Sequence, residues 1–392
     1  MMECDDMEIR LLNDNFETIY IIDTYKSFIW TDRYNECGDF EICTQVDVTF
    51  LNIVKKGYYL TNSNSEHVMV VETINIESDA ETGAYITISG RSLESILNRR
   101  IVWYKTIFTM DEKGIEPNLQ DGIYKLLDEN IINPGQMSAD LVVRIIPNFI
   151  FKRSSDPLIT ELTFEGEYLG EDLYEVISKL CQENEIGFKL ILNANKQLEF
   201  SLYAGVDRSY GTEDKPQLVN PYVIFSPEFD NVSHTNYLDS DAKLKNTTLV
   251  VGESDYNSDG LEVERQQMVL SIKEIQHTGL DRREIFTDAI SMSTDDGYGG
   301  QLNAAQYRAR LKQKGIDTLM ENTSSIAFEG EMDTARIFKY GVDFFMGDIV
   351  QVANEYGHEG QAYVSELVMS SDEGGTFTYP TFKPIQKGVY EV

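Results

Sequence analysis

Residues 28–42, FIWTDRYNECGDFEI, set carboxylates at Asp32, Glu36, Asp39 and Glu41 around one arginine, Arg33, and one thiol, Cys37. Paired carboxylates can divide general-acid and general-base work when burial raises the pKa of one of them. A thiol becomes a nucleophile when a neighbouring histidine draws off its proton. No histidine lies near Cys37 in sequence, and with 66 acids in the chain close carboxylate pairs arise by chance. The same residues also suit a polar hairpin between strands, in which an arginine clamps carboxylates or meets a neighbour.

The other candidate chemistries are incomplete in similar ways. The four histidines, His67, His234, His277 and His358, stand at no ligand spacing, and neither HExxH nor G-x-S-x-G occurs. His67 and His358 sit in turn-like segments and read as solvated loop residues. DYNSDGLEVERQ opens like a calcium loop at Asp255, Asn257, Asp259 and Gly260, but its twelfth position is Gln266 where a bidentate glutamate belongs. Glu262 and Glu264 are off register, and a polar hairpin tip is the plainer account. Glu165 and Glu167 form one more carboxylate pair, in a segment that reads as exposed. DDGYGGQL lacks the lysine of a phosphate loop. No catalytic set, metal set or cofactor site is complete, so the chain does not read as an enzyme.

Composition narrows the classes further. The chain has 392 residues, 42% hydrophobic and 25% charged, as a folded globular protein of several domains has. Its 33 basic and 66 acidic residues give a net charge of −33, which argues against a nucleic-acid groove or an anionic membrane surface. Cys4, Cys37, Cys43 and Cys181 lack zinc spacing and read as free thiols. The start, MMECDDMEIR, is acidic and unlike a signal peptide, and no apolar stretch is long enough to span a bilayer.

Strands must position most of these residues. Phe40, Ile42, Thr44, Val46, Val48 and Phe50 alternate with more polar residues, predicting one strand through this stretch. IRLLN and TIYIID predict two more, and VMVVETINIES and AYITISG flank DAETG as a hairpin. Leu119, Ile123, Leu126 and Leu127 have helical spacing, as do Leu173, Val176, Ile177 and Leu180, with Gly187 as a stop. FKLIL and QLEFSLY follow as a pair turned by NANK. PYVIFSPEFDNVS returns to strand, and NTTLVVGES pairs with EVERQQMVLSI. Tyr307, Leu311, Gly315 and Leu319 predict a third helix, before the strands DIVQVA, AYVSELVM and TFTYPTF. The order suggests a duplicated plan with an insertion in the second copy.

Taken together, these segments resemble a known family. WTDRYNECGDFEI is similar to the tryptophan–acid–arginine, then glycine–aspartate–phenylalanine, motif of siphophage tail baseplate hubs. That family is related to the hub portion of tail-associated lysins and to contractile-phage baseplate hubs. SGRSLESILNRR, GFKLILNANKQLEFSLYAGVDRS, FDNVSHTNYLDSDAKLKNTTLVVGE, GLDRREIFTDA and FKYGVDFFMGDIVQV follow in the family's order. The likeness therefore spans nearly the whole chain.

The resemblance implies a mixed α+β, β-rich chain with two small antiparallel β-barrel domains and two α/β domains, three chains closing into a ring. The segments fall at 1–105 (first barrel), 106–215 (α/β), 216–255 with 327–392 (second barrel) and 256–326 (the inserted α/β domain). It implies a structural virion protein at the tail tip or baseplate, made in the host cytoplasm. This homotrimeric hub would cap the tail tube and form the channel for DNA exit. Partners would be the distal tail protein, the tube, the tape-measure protein and receptor-binding or tail-fibre proteins, with DNA only in transit. Trp30, Phe40 and Ile42 would bury, while Asp32, Arg33 and Asp39, with Gly38 in the same motif, organise the turn or meet a neighbour. Gly347 would permit a turn that Asp348 caps. Longer relatives carry a peptidase or glycosidase domain, and none is expected after Val392. Two alternatives remain: a tail-associated glycan hydrolase using the carboxylates, and a host-glycan-binding module using the 22 tyrosines and 19 phenylalanines. Most of those aromatics fall on alternating strand positions, which suits core packing.

Overall fold

The computed structural model describes residues 8–79, 83–111, 113–209, 220–256, 262–272, 275–292, 294, 300–332, 337–372 and 375–384. β1 (Ile9–Leu12), β2 (Thr18–Ile22), β3 (Ser27–Arg33) and β4 (Asp39–Gln45) lead to a short helix, α1 (Val48–Ile53). β5 (Tyr59–Asn62), β6 (Val68–Asp79) and β7 (Gly83–Ser92) follow, then a 3-10 turn over Leu93–Arg99. The next stretch is mixed: β8 (Thr106–Phe108), α2 (Leu119–Leu127), β9 (Phe149–Lys152), α3 (Pro157–Thr160), β10 (Gly166–Tyr168), α4 (Leu173–Glu183), β11 (Gly187–Leu192) and β12 (Leu198–Tyr203). Then come β13 (Ile224–Phe225), β14 (Val232–Ser240), β15 (Thr247–Tyr256), β16 (Glu262–Ser271), β17 (Glu284–Asp288) and α5 (Ala304–Met320). β18 (Ser325–Met332), β19 (Ile349–Ala353), β20 (Glu359–Asp372) and β21 (Gly375–Pro384) complete the described chain.

The helices form where apolar spacing meets a capping side chain. Asn118, Asp172 and Asn303 each accept a first-turn backbone N–H, at α2, α4 and α5. Leu173, Val176, Ile177 and Leu180 of α4 are buried, as are Tyr307, Leu311, Gly315 and Leu319 of α5. One expected strand is instead partly helix. β4 ends at Gln45, and Asp47 accepts N–H bonds from Thr49 and Phe50 to cap α1. Phe50 still reaches the core, whereas Val48 is exposed. A capping aspartate outweighed a period-2 pattern. Gly187 does not stop α4, which ends at Glu183, and it instead begins β11.

The terminal strands share one sheet of eleven strands, in the order β13-β19-β20-β3-β4-β7-β6-β5-β1-β2, with β21 also on β20. β3 is the seam. It pairs antiparallel with β4 through Trp30↔Phe40 and with β20 through Arg33↔Glu366 and Trp30↔Met369. The expected closed barrels are therefore absent among the described residues: the sheet is open, with β2 and β13 at its ends. Each side of β3 is satisfied by a different part of the chain, so the first and last strand groups merge into one surface. β15, which the segmentation above assigns to the second strand-rich segment, pairs with β16 and β17.

Two large cores flank the seam. One lies within the sheet around Phe28, Trp30, Phe40, Ile42 and Phe50, reaching Leu367 and Met369 of β20. The other lies in the mixed stretch, where Leu126, Leu173, Ile177, Phe188 and Phe200 meet. The loop between β3 and β4 sits between them.

Candidate functional site at the seam of the terminal strands

The alternation of β3 sends Phe28 and Trp30 into the core and leaves Ile29 exposed. The indole Nε1–H of Trp30 donates to Asp32 Oδ1 at 2.9 Å, and Ser65 Oγ donates to Asp32 Oδ2 at 2.7 Å. Asp32 is thus a buried acceptor that satisfies the indole. Arg33 forks outward: Nη1 meets Asp39 at 2.6 Å and the carbonyl of Cys37 at 2.9 Å, while Nε meets Glu366 at 2.8 Å. The cation ties both strands that border β3. Its pKa is raised by Glu366 and Asp39 against a lowering from burial.

The loop after Arg33 is held by the mixed stretch. The carbonyl of Tyr34 accepts from Phe188 N–H, and that of Asn35 accepts from Ser178 Oγ. The N–H of Cys37 donates to the Tyr174 hydroxyl at 2.9 Å. Cys37 therefore serves through its backbone. Burial pushes its thiol pKa up, the wrong direction for a nucleophile. Glu36 takes Lys383 and Gln182 as partners.

Tyr34 also brings the second glycine–aspartate pair to the first. Its ring is buried, and burial drives the phenol pKa far up. Gly347 has φ +85°, and a Cβ there would stand 2.2 Å from Tyr34 Cε2. A Cβ at Gly187 would stand 2.4 Å from the same ring atom, which is the role the sequence did not disclose. Asp348, next along, accepts from Val206 N–H at 2.7 Å, Phe345 N–H at 2.9 Å and Arg208 Nε at 2.6 Å. It caps its turn and also ties the end of the mixed stretch to β19.

Sequence reading missed Tyr34, Arg208 and Glu366, the partners of these residues. All three stand in segments quoted above, Tyr34 in FIWTDRYNECGDFEI, Arg208 in AGVDRS and Glu366 in AYVSELVM, but nothing in their spacing pairs them with these residues. It also misplaced His67, which is buried rather than solvated, with Nδ1 3.2 Å from Glu94. Burial lowers the His67 pKa, but Asp32 and then Glu94 outweigh it and bring it up to about 9. Burial raises Glu94 and His67 more than offsets it, so Glu94 ends below its ordinary value. Asp32 ends raised by burial. Serine, histidine and acid are all here, yet the Ser65 hydroxyl donates to Asp32 and not to the imidazole, so no nucleophile relay exists.

The Glu165–Glu167 pair is likewise not exposed as expected. Glu165 is buried and accepts from Met110 N–H, and Glu167 pairs with the buried Arg310 of α5. Both line a cleft of about 720 Å³ between α4 and α5, with Lys179, Glu183 and Asp317. Burial and Asp317 bring Glu183 up to about 7. His358 is exposed. The calcium-loop residues Asn257 and Asp259 lie outside the described residues, and Asp255 is described only in its backbone, on β15. Among the described residues no group of three or more His, Cys, Asp and Glu side chains is arranged to hold a metal ion. What the seam does is join structure: one arginine, one tyrosine and one aspartate connect three parts of the chain.

That joined, strand-rich architecture has known counterparts. A family model described as Siphovirus ReqiPepy6 Gp37-like protein matches residues 8–382, and the chain belongs to that family. Among solved structures it is similar to the prophage MuSo2 43 kDa tail protein from Shewanella oneidensis, at 14% identity and a TM-score of 0.56, over 96% of this chain and 98% of that one. It is also similar to the tail protein from Neisseria meningitidis MC58, at 11% identity and a TM-score of 0.55, over 98% of each chain. Prophage tail protein gp18 from Listeria monocytogenes EGD-e gives 13% identity and a TM-score of 0.50, over 97% of this chain and 95% of that one. At these identities the likeness is one of fold. No curated protein matches the chain.

Proposed function

We propose that this chain is a structural protein of a phage tail, a homotrimeric baseplate hub that caps the tail tube and forms the channel through which DNA leaves. The observation that carries the reading is the seam at β3. Its most elaborate side-chain contacts are used to fuse the terminal strands and the mixed stretch into one body. A ring component needs that rigidity, and the fold it shares with prophage tail proteins over nearly their full length supports the same conclusion. The strand-rich segments 1–105 and 216–255 with 327–392 would line the ring, and 106–215 and 256–326 would flank it.

The distal tail protein, tube and tape-measure protein would meet its faces, and receptor-binding or fibre proteins its rim. A net charge of −33 per chain suits a passage that repels duplex phosphate. Native mass spectrometry and low-resolution imaging test the reading, with a trimer showing a central hole as the expected result. A chain that stays monomeric with its tail partners present would overturn it. Peptidoglycan zymography should show no clearing, and clearing lost on substituting one carboxylate would favour a hydrolase.

A further inference from the structure

Several arginines are matched by acids: Arg33 by Asp39 and Glu366, Arg91 by Glu72, Arg208 by Asp348, Arg310 by Glu167. Arg99, Arg100 and Arg144 are different. They lie together, and none of the three forms a salt bridge among the described residues. Backbone carbonyls hold Arg100 and Arg144 instead. Arg100 Nε donates to the carbonyl of Arg144 at 3.0 Å, Arg100 Nη1 to that of Arg99 at 2.9 Å, and Arg144 Nη2 to that of Ile101 at 2.7 Å. Arg144 Nη1 is buried with no partner. Burial and the neighbouring cation lower the pKa of both Arg100 and Arg144, as crowded like charges require.

Apolar surface surrounds these cations. The Arg144 guanidinium lies over the ring of Trp103, 4.9 Å from its centroid, and Trp103 itself is half exposed. Val142 and Ile145 are exposed beside Arg144, and Val143 is 88% exposed. An aromatic and aliphatic surface studded with unmatched arginine forks has the composition of an interface core. A small anion or a nucleic-acid phosphate would answer the charge and leave the valines and the indole wet. A polypeptide surface carrying carboxylates among apolar side chains answers both.

Charge also says which polypeptide. Two copies of a chain at −33 repel, so contact between them is favoured where one copy presents cations that no internal acid has matched. Its three arginines outnumber its one carboxylate, the exposed Asp140, so facing itself across a twofold axis would set most of its arginines against arginines. That balance favours a heterologous contact, head to tail, which closes into a ring when the rotation permits. We propose that the surface formed by residues 99–104 and 137–145 is where a second copy of this chain docks, presenting carboxylates to Arg99, Arg100 and Arg144. This rests on the ring reading and adds to it the contact surface and its polarity.

The experiment is native mass spectrometry of the full chain over a concentration series, with circular dichroism as a folding control. The set comprises wild type, Arg100→Glu with Arg144→Glu, Arg100→Lys with Arg144→Lys, and Val143→Asp, whose exposure leaves the monomer fold undisturbed. The charge-reversed and Val143→Asp chains should need at least about tenfold more protein to assemble, and the lysine chain should assemble near the wild-type concentration. If wild type forms trimers and the glutamate and aspartate variants do so equally well, the surface is wrong and the ring stands. If Val143→Asp alone impairs assembly, the pairing with carboxylates is wrong. A wild type that never associates overturns ring and surface together.

Discussion

Gly38–Asp39 and Gly347–Asp348 are the same dipeptide in the same setting, a turn leading into an antiparallel strand, β4 in one case and β19 in the other. Their surroundings differ sharply. The side chain of Asp39 is 44% exposed and meets Arg33 at the protein surface. That of Asp348 is 3% exposed and receives two backbone N–H groups and a guanidinium. Gly38 exchanges two hydrogen bonds with Ser92, its N–H donating to Oγ and its carbonyl accepting from the amide. Gly347 turns left-handed against a tyrosine ring. A dipeptide can specify a turn, but how much stability depends on it is set by what the rest of the chain places around it.

The comparison can be broken most forcefully at Asp348. Replacing it with alanine strands a mostly buried arginine and two N–H groups, and should cost about 3–5 kcal/mol in guanidinium unfolding. A loss below about 1 kcal/mol would mean that water reaches Arg208 and that the two aspartates are alike after all. Gly347→Ala comes next, at about 2–4 kcal/mol, because the new methyl must fit both a left-handed backbone and the face of Tyr34. Combining it with Tyr34→Ala separates the two contributions: relief by the second change would assign the cost to the ring, and simple additivity to the backbone.

Gly38→Ala tests close approach without a left-handed backbone. A Cβ there would stand 2.2 Å from the carbonyl oxygen of Thr31, so β3 and β4 must part locally, costing about 1–3 kcal/mol. Thermal unfolding indistinguishable from wild type would show that the hairpin opens freely. The smallest effect belongs to Asp39→Ala. Its partner keeps Glu366 and the pair is solvated, so about 0–1 kcal/mol is expected, fading as salt is added. A larger, salt-insensitive loss would make Asp39 the equal of Asp348 and remove the contrast.

The sequence marked both dipeptides and the residues around the first of them, yet it ranked the two together. It could not do otherwise. Asp348 and Arg208 are 140 residues apart, and Arg33 and Glu366 are 333 apart. Tyr34 carries no motif of its own, and its importance lies in Gly187 and Gly347 making room for its ring. His67 looked like a loop residue because its neighbours are polar, and only the approach of Asp32 and Glu94 from other elements makes it a buried cation.

What the sequence determined by itself is local. Alternation along Phe28–Trp30 and Phe40–Ile42, helical spacing behind Asn118, Asp172 and Asn303, and the charge of −33 all follow from residues read within a short window or summed without regard to position. These mark most of the long strands and helices, although the alternation through Val48 and Phe50 gave way to the helix capped by Asp47. The tertiary structure decided which strand lies beside which. Both edges of β3 are backbone ladders that any strand can satisfy, so the choice of β4 on one side and β20 on the other rests on side-chain fit summed along each pair. The open sheet, the seam through Arg33 and the unequal burial of the two aspartates all follow from that choice, because pairing brings distant residues within hydrogen-bond reach and excludes water from some of them and not from others.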